Sequence, residues 1–115
     1  MGSCIQELIE EAKNSVRVSI ERYLFINCHR IVSVTKLARQ RNVRIELYGF
    51  FKHYKPSMNF PRFADAYSYL IECYVYEIDF FQAKIKLKNQ YLEVCIEDLE
   101  KLCLEIYKSK PNESL

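Results

Sequence analysis

Glycine and proline are scarce in this chain, with two of the first and three of the second among 115 residues. Half of the residues are apolar and 14% are aromatic, so the composition excludes a disordered polymer and is that of a globular chain. Long apolar runs are missing too. No segment reaches the roughly 20 residues that a membrane-spanning helix needs, and no charged-then-apolar leader opens the sequence, so no membrane partner is expected. Paired metal-ligand motifs are the third absence. Cys4, Cys28, Cys73, Cys95 and Cys103 nowhere form a CxxC pattern, which argues against zinc, and neither metal nor cofactor is expected. Five cysteines without a leader imply free thiols in a reducing, cytoplasmic setting, each acting as a small buried hydrophobe.

What is present is an uneven distribution of charge. The net charge is only +2, yet between Arg30 and Arg62 eight basic residues (Arg30, Lys36, Arg39, Arg41, Arg44, Lys52, Lys55 and Arg62) stand against Glu46 alone. From Phe63 onward six lysines stand against ten acids. Such asymmetry points to an anionic partner or to self-association, and the ordinary alternative is a solvated basic helix and loop. The length allows one core, so residues 1–110 are read as a single domain and 111–115 as a tail.

Residues 5–14, IQELIEEAKN, carry apolar side chains at 5, 8, 9 and 12, one face of a helix. In SVRVSIERYLF, Val16, Val18 and Ile20 alternate with Arg17, Ser19 and Glu21, and the β-branched content predicts a strand over 16–22. The helical period also continues at 12, 16, 20 and 23 and predicts an unbroken helix instead. HRIVSVTKLARQRN predicts a helix with Ile31, Val34, Leu37 and Ala38 inward, and VRIELYGFF a strand over 43–49. KHYKPSMNFP is a loop marked by Pro56 and Pro61. PRFADAYSYLI predicts a helix and ECYVYEIDF a strand over 73–78. QAKIKLKN and QYLEVCI predict an antiparallel hairpin, strands 83–88 and 91–95, turning near Lys88-Asn89-Gln90. IEDLEKLCLEIYKSK closes the domain as a helix, with acids in its first turn and Lys108 and Lys110 in its last. The order predicts an α/β fold in three layers: a mixed sheet of about five strands covered by helices, with a parallel βαβ unit in its first half.

QAKIKLKN raises the functional question. Lys84, Lys86 and Lys88 fall on one strand face, about 7 Å from one to the next, a spacing that suits a run of phosphates. The alternative is a solvent-facing strand whose lysines discourage edge pairing. The segment QAKIKLKNQYLEVCIEDLEKL resembles the phospholipase D superfamily. That family's motif is His-x-Lys, four residues, then Asp, followed by a strand, Gly-Ser and a helix opened by an Asn-Leu-like pair. Gln82 stands at the His place, Lys84 at the Lys place and Asn89 at the Asp place; Cys95-Ile96-Glu97 replaces Gly-Ser, and Asp98-Leu99 opens the helix. Upstream, EEAKNSVRVSIERYLF and RNVRIELYG resemble the family's opening strand–helix–strand. One of three signature residues survives, over a pattern of elements spanning most of the chain.

The resemblance implies a member without the reaction. The family's His attacks phosphorus to form a phosphoenzyme, whereas Gln82 neither attacks nor donates a proton at neutral pH, and Asn89 supplies no carboxylate. Single-copy members pair two domains, so the resemblance implies a homodimer acting as a binding or assembly module, with Lys84, Lys86 and Lys88 facing an anion such as nucleic-acid phosphate. Tyr74, Tyr76, Phe80 and Phe81 are candidate dimer contacts, or else core residues. A second class is a helix-turn-helix DNA-binding regulator over residues 33–54. Leu37 and Ala38 would lie in its first helix and Asn42 at its turn, with Val43, Tyr48 and Phe51 inward and Arg39, Arg41, Arg44, Lys52 and His53 toward DNA. The strand-like alternation of V-R-I-E-L and a turn without glycine oppose it. Neither His29 nor His53 sits in a catalytic motif.

Overall fold

The two glycines are Gly2 and Gly49 and the first proline is Pro56, so no breaker interrupts residues 3–48. In the computed structural model, which describes residues 4–109, Gln6–Leu37 form one helix, α1. At 32 residues α1 is the longest element of the fold, whose longest extent is 44 Å. Its buried residues are Ala12, Ser15, Val16, Ser19, Ile20, Leu24, Cys28 and Thr35, one stripe at helical spacing. The strand expected over 16–22 is therefore overturned, and the helix expected after it is α1 continued. Strand propensity spans only about 1 kcal/mol. Full burial of Val16, Ile20 and Leu24 contributes about 1.5–3 kcal/mol each, so the continuous stripe wins.

Four antiparallel strands follow: β1 (Asn42–Glu46), β2 (Glu77–Phe80), β3 (Ala83–Leu87) and β4 (Tyr91–Cys95), in the order β1-β4-β3-β2. The expected mixed, five-stranded sheet is thus corrected to an antiparallel sheet of four among the described residues, and the βαβ unit is not formed. The strand expected over 43–49 ends at Glu46, where Leu47–His53 tighten into a 3-10 helix. This seven-residue turn buries Phe50, which a strand's alternation would place beside the exposed Tyr48 and Lys52. The strand expected over 73–78 shifts to Glu77–Phe80, because Cys73 caps helix α2 (Phe63–Glu72) and Tyr74 turns the chain with φ 62°. The β3–β4 hairpin and the closing helix α3 (Ile96–Lys108) form where the sequence puts them. The expected tail 111–115, and Lys110 in the last turn of α3, lie outside the described residues.

Val43, Ile45, Ile78, Ala83, Ile85, Leu87, Leu92 and Val94 fill one face of the sheet. The strand residues between them are exposed or half-buried, so the helices cover one face only. The fold has two layers, not three. α2 and α3 both run antiparallel to α1. Phe63 of α2 stacks on Phe50, and Phe50 meets Tyr23 of α1 edge-on. Tyr107 of α3 packs against Phe25 and His29, while Lys36 pairs with Glu100. Two disulfides staple these contacts. Cys4 bonds Cys73 across 5.7 Å between Cα atoms, and Cys28 bonds Cys103 across 6.1 Å. The expectation of free thiols is overturned for all but Cys95, and with it the premise for a reducing compartment, since disulfides persist in oxidising ones. Among the described residues no helix is long and apolar enough to cross a membrane.

Glycine scarcity leaves a mark on the backbone. Left-handed conformations fall on Arg39, Tyr74, Phe81 and Gln82. Arg39 and Tyr74 end α1 and α2 in Schellman motifs: Gln40 N–H donates to Thr35 O, and Val75 N–H to Leu70 O. Phe81 and Gln82 form the two-residue β2–β3 turn, with φ 50° and 69°, where hairpins usually carry Asn-Gly.

Candidate polyanion interface

The pairing register decides what the three lysines meet. Lys84 lies opposite Asp79 and Lys86 opposite Glu77 on β2, and Lys86 also faces Glu93 on β4. Across the next pair Arg44 lies opposite Glu93, and Glu46 opposite Tyr91. Lys84 Nζ donates to Asp79 Oδ1 at 3.1 Å, a pair exposed on both sides. That hydrogen bond and charge hold the Lys84 ammonium above its ordinary pKa. The open sheet face thus carries four cations, Arg44, Lys84, Lys86 and Lys88, against four carboxylates, Glu46, Glu77, Asp79 and Glu93. Gln82 and Asn89 sit in the turns at opposite ends of β3, roughly 20 Å apart at strand rise.

Other cations lie along the second half of α1 and the segments after it. The helix-turn-helix reading fails on geometry, because its second helix is β1 and a 3-10 turn; Val43 is buried, but Tyr48 and Phe51, expected inward, are exposed. The basic residues it singled out fall on three successive segments. Arg39 and Arg41 occupy the turn between α1 and β1, Arg44 the strand, and Lys52 and His53 the end of the 3-10 turn. The 3-10 turn folds back on α1, where His53 meets the Tyr23 ring edge-on at 5.9 Å. Burial first, then the Lys52 and Arg22 charges, hold the His53 imidazole below its ordinary value. Between α1 and β1 lies a cleft of about 230 Å³ lined by Tyr23, Arg30, Ile31, Arg44, Ile45, Glu46, Tyr48 and Gly49. Gly49 is needed here for space rather than for backbone freedom: a Cβ would sit 3.1 Å from the Tyr23 ring. Arg44 lies 5.0 Å over the Tyr91 ring, and Arg30 Nη2 donates to Asn27 Oδ1 at 2.8 Å. Among the described residues no ion pair involves Arg22, Arg30, Arg39, Arg41, Arg44, Lys52 or Lys55.

Sequence reasoning counted Arg30 in the basic segment but missed Arg22 and took Tyr48 as inward-facing. The signal for Arg22 was its spacing on a continuous helix: Arg22 and Arg30 are eight residues apart and share a face only if α1 is unbroken. Among the described residues no group of three or more His, Cys, Asp or Glu side chains is placed to hold a metal. No family model matches the chain, and neither the curated proteins nor the solved structures yield a match.

Proposed function

We propose that this chain is a binding module for a polyanion, held on the rim made by the second half of α1, β1 and the 3-10 turn. The observation that carries this reading is the contrast in pairing. On the sheet Lys84 and Lys86 face Asp79, Glu77 and Glu93 across the register, whereas Arg22, Arg30 and Lys52, beside the cleft and the 3-10 turn, have no ion pair among the described residues, and Arg44 lines the cleft beside Arg30. Unpaired guanidinium and ammonium groups pay no desolvation debt to an internal partner and bind phosphate or sulfate by releasing its counterions. The test is a titration with polyphosphate and heparin at low and moderate salt. Arg30→Ala/Arg44→Ala/Lys52→Ala should lower affinity at least about tenfold and flatten the log–log salt dependence by roughly two to three units. Lys84→Ala/Lys86→Ala/Lys88→Ala should change affinity by about threefold or less. The reverse ranking would return the site to the sheet.

Self-association is a second reading, favoured by one observation. Tyr74, Tyr76 and Phe81 are 81%, 52% and 40% exposed beside β2, a free edge of the sheet. A homodimer through that edge should double the mass measured by light scattering, and Tyr74→Ser/Tyr76→Ser should restore the monomer. A monomer mass for the unaltered chain at micromolar concentration ends this reading. The phospholipase D-like reading is supported by the β3–β4–α3 half alone. It expects no phosphodiester turnover by Gln82, and turnover lost on Gln82→Ala would overturn that silence.

A further inference from the structure

Resting on the polyanion reading, we infer that the cleft between α1 and β1 takes single-stranded nucleic acid, with one base stacked on Tyr48 and the flanking phosphates held by Arg30 and Arg44.

Three observations lead there. The first is Tyr48 itself. It is 72% exposed, while Phe50, two residues on in the same 3-10 turn, is fully buried. A tyrosine face left in water among cations is a platform for a ligand that is itself flat and apolar on its faces. Unstacked bases offer such faces and duplex bases do not. The second is the mixture of groups in the cleft. It holds two guanidiniums, two tyrosines and the Glu46 carboxylate. A uniformly anionic chain would meet repulsion at Glu46. A nucleotide alternates an anionic phosphate with a neutral base, and cytosine and adenine carry exocyclic amines that a carboxylate can accept from. The third is shape. Duplex readers push a helix or a two-stranded ribbon into the major groove. Here Arg30 and Arg44 line a cleft, and the helix that carries Arg30 is packed against α2, α3 and the 3-10 turn. Arg44 is already oriented, because the Tyr91 ring lies beneath its guanidinium at 5.0 Å.

The cleft geometry depends on Gly49, whose missing side chain lets the turn approach Tyr23. Tyr48 then stands on a short, braced turn between Leu47 and the buried Phe50, and does not need to be ordered when a base arrives. His53 packs on the Tyr23 ring that lines the cleft, so the neighbouring Lys52 and Arg22 add positive charge beside it.

The experiment measures fluorescence anisotropy of labelled oligo-dC, oligo-dA and oligo-U, a duplex of equal length, and fluorescent heparin and polyphosphate, all at one salt concentration. The proteins are the full chain, Tyr48→Ala, Tyr48→Phe and Arg30→Ala/Arg44→Ala, each checked for fold by circular dichroism. Tyr48→Ala should weaken single-strand binding at least about fivefold, leave heparin and polyphosphate unchanged, and be rescued by Tyr48→Phe. The arginine variant should weaken every polyanion. Duplex binding as tight as single-strand binding would overturn the inference. So would a Tyr48→Ala variant that binds oligonucleotides as well as the unaltered chain does. If polyphosphate still responds to the arginine variant in either case, the polyanion reading survives alone. If no polyanion binds, both fall. A Tyr48→Ala loss seen equally with heparin would point to a sulfated polysaccharide and overturn the nucleic-acid assignment.

Discussion

Two charged surfaces of this molecule carry nearly the same residue types and differ in what lies across from them. On the open sheet face, strand register sets the neighbours. Lys84 and Lys86 on β3 are opposed by Asp79 and Glu77 on β2, and Lys86 also by Glu93 on β4. On the rim, three consecutive elements, α1, β1 and the 3-10 turn, meet, and strand register supplies an acid only opposite Arg44. A lysine in a paired sheet has its partner within about 5 Å by construction; an arginine on a helix beside a 3-10 turn does not. A row of lysines in a sequence says little about ligand binding until the opposing strand is known.

The comparison is broken most severely from beneath. Phe50 is fully buried and touches Tyr23 and Phe63 at ring distances of 4.9 and 5.5 Å, so it holds the 3-10 turn to the helices. Phe50→Ala should cost about 3–5 kcal/mol in urea unfolding, and Ile85→Ala under the sheet about 2–5 kcal/mol. In whatever fraction remains folded, Phe50→Ala should also lose polyanion affinity, and Ile85→Ala should keep it. Equal loss of affinity from both would mean that the rim has no local support.

A second break works by charge. Glu77→Gln/Glu93→Gln removes both carboxylates facing Lys86. Made in the Arg30→Ala/Arg44→Ala background, it should turn the silent sheet into a polyanion surface. The expected gain is about tenfold at low salt, with up to roughly two units of added salt slope. Stability should change by less than about 1 kcal/mol, because these pairs are exposed. An unchanged affinity would mean that register-matched acids are not what silences the lysines.

Legibility followed the range of the forces involved. The hairpin over β3 and β4 and the helix α3 could be read because their patterns are local: strict alternation, a polar turn, and acids at a helix start. The alternation V-R-V-S-I was misleading because both periods fit it, and only the neighbouring Ala12 and Leu24, buried with Val16 and Ile20, decide for the helix. That one decision changed the sheet from mixed to antiparallel and put Arg22 and Arg30 on a shared surface. The disulfides were illegible for another reason. Cys4 and Cys73 are 69 residues apart and Cys28 and Cys103 are 75 apart, and only the antiparallel packing of α1 with α2 and α3 brings them together. For the candidate site, composition revealed the basic segment, while spacing alone could not separate paired lysines from unpaired arginines.

Strained residues often mark functional sites, yet three of the four left-handed residues, Tyr74, Phe81 and Gln82, flank β2 rather than the rim. Their positions are turns in a chain with almost no glycine to spare. Phe81→Asn/Gln82→Gly relieves about 1–2 kcal/mol per residue of left-handed cost, against about 0.5–1.5 kcal/mol lost from the Phe80–Phe81 stack at 4.9 Å. The net gain should be about 2 kcal/mol in urea unfolding, with polyanion affinity unchanged. A fall in affinity would move function to the sheet's end.

The smallest expected effect is a proton. His53 is held below its ordinary value by burial, and then by Lys52 and Arg22. Its neutral form therefore favours the folded state. That contribution is complete above the unfolded value of about 6.5 and is lost as pH falls through the depressed folded value. A bound polyanion reverses the local field, since phosphate beside His53 favours the imidazolium. Binding should then take up a proton, and affinity should rise as pH falls from about 8 to 5, a window in which carboxylates stay ionised. The added salt slope should stay below about 0.7, the share of one single-strand phosphate. His53→Asn should flatten the profile. His29, which faces Tyr107 on the α3 side of α1, should not contribute, so His29→Asn should leave it intact. A pH dependence that survives His53→Asn would detach His53 from the bound anion and shorten the rim to the cleft between Arg30 and Arg44.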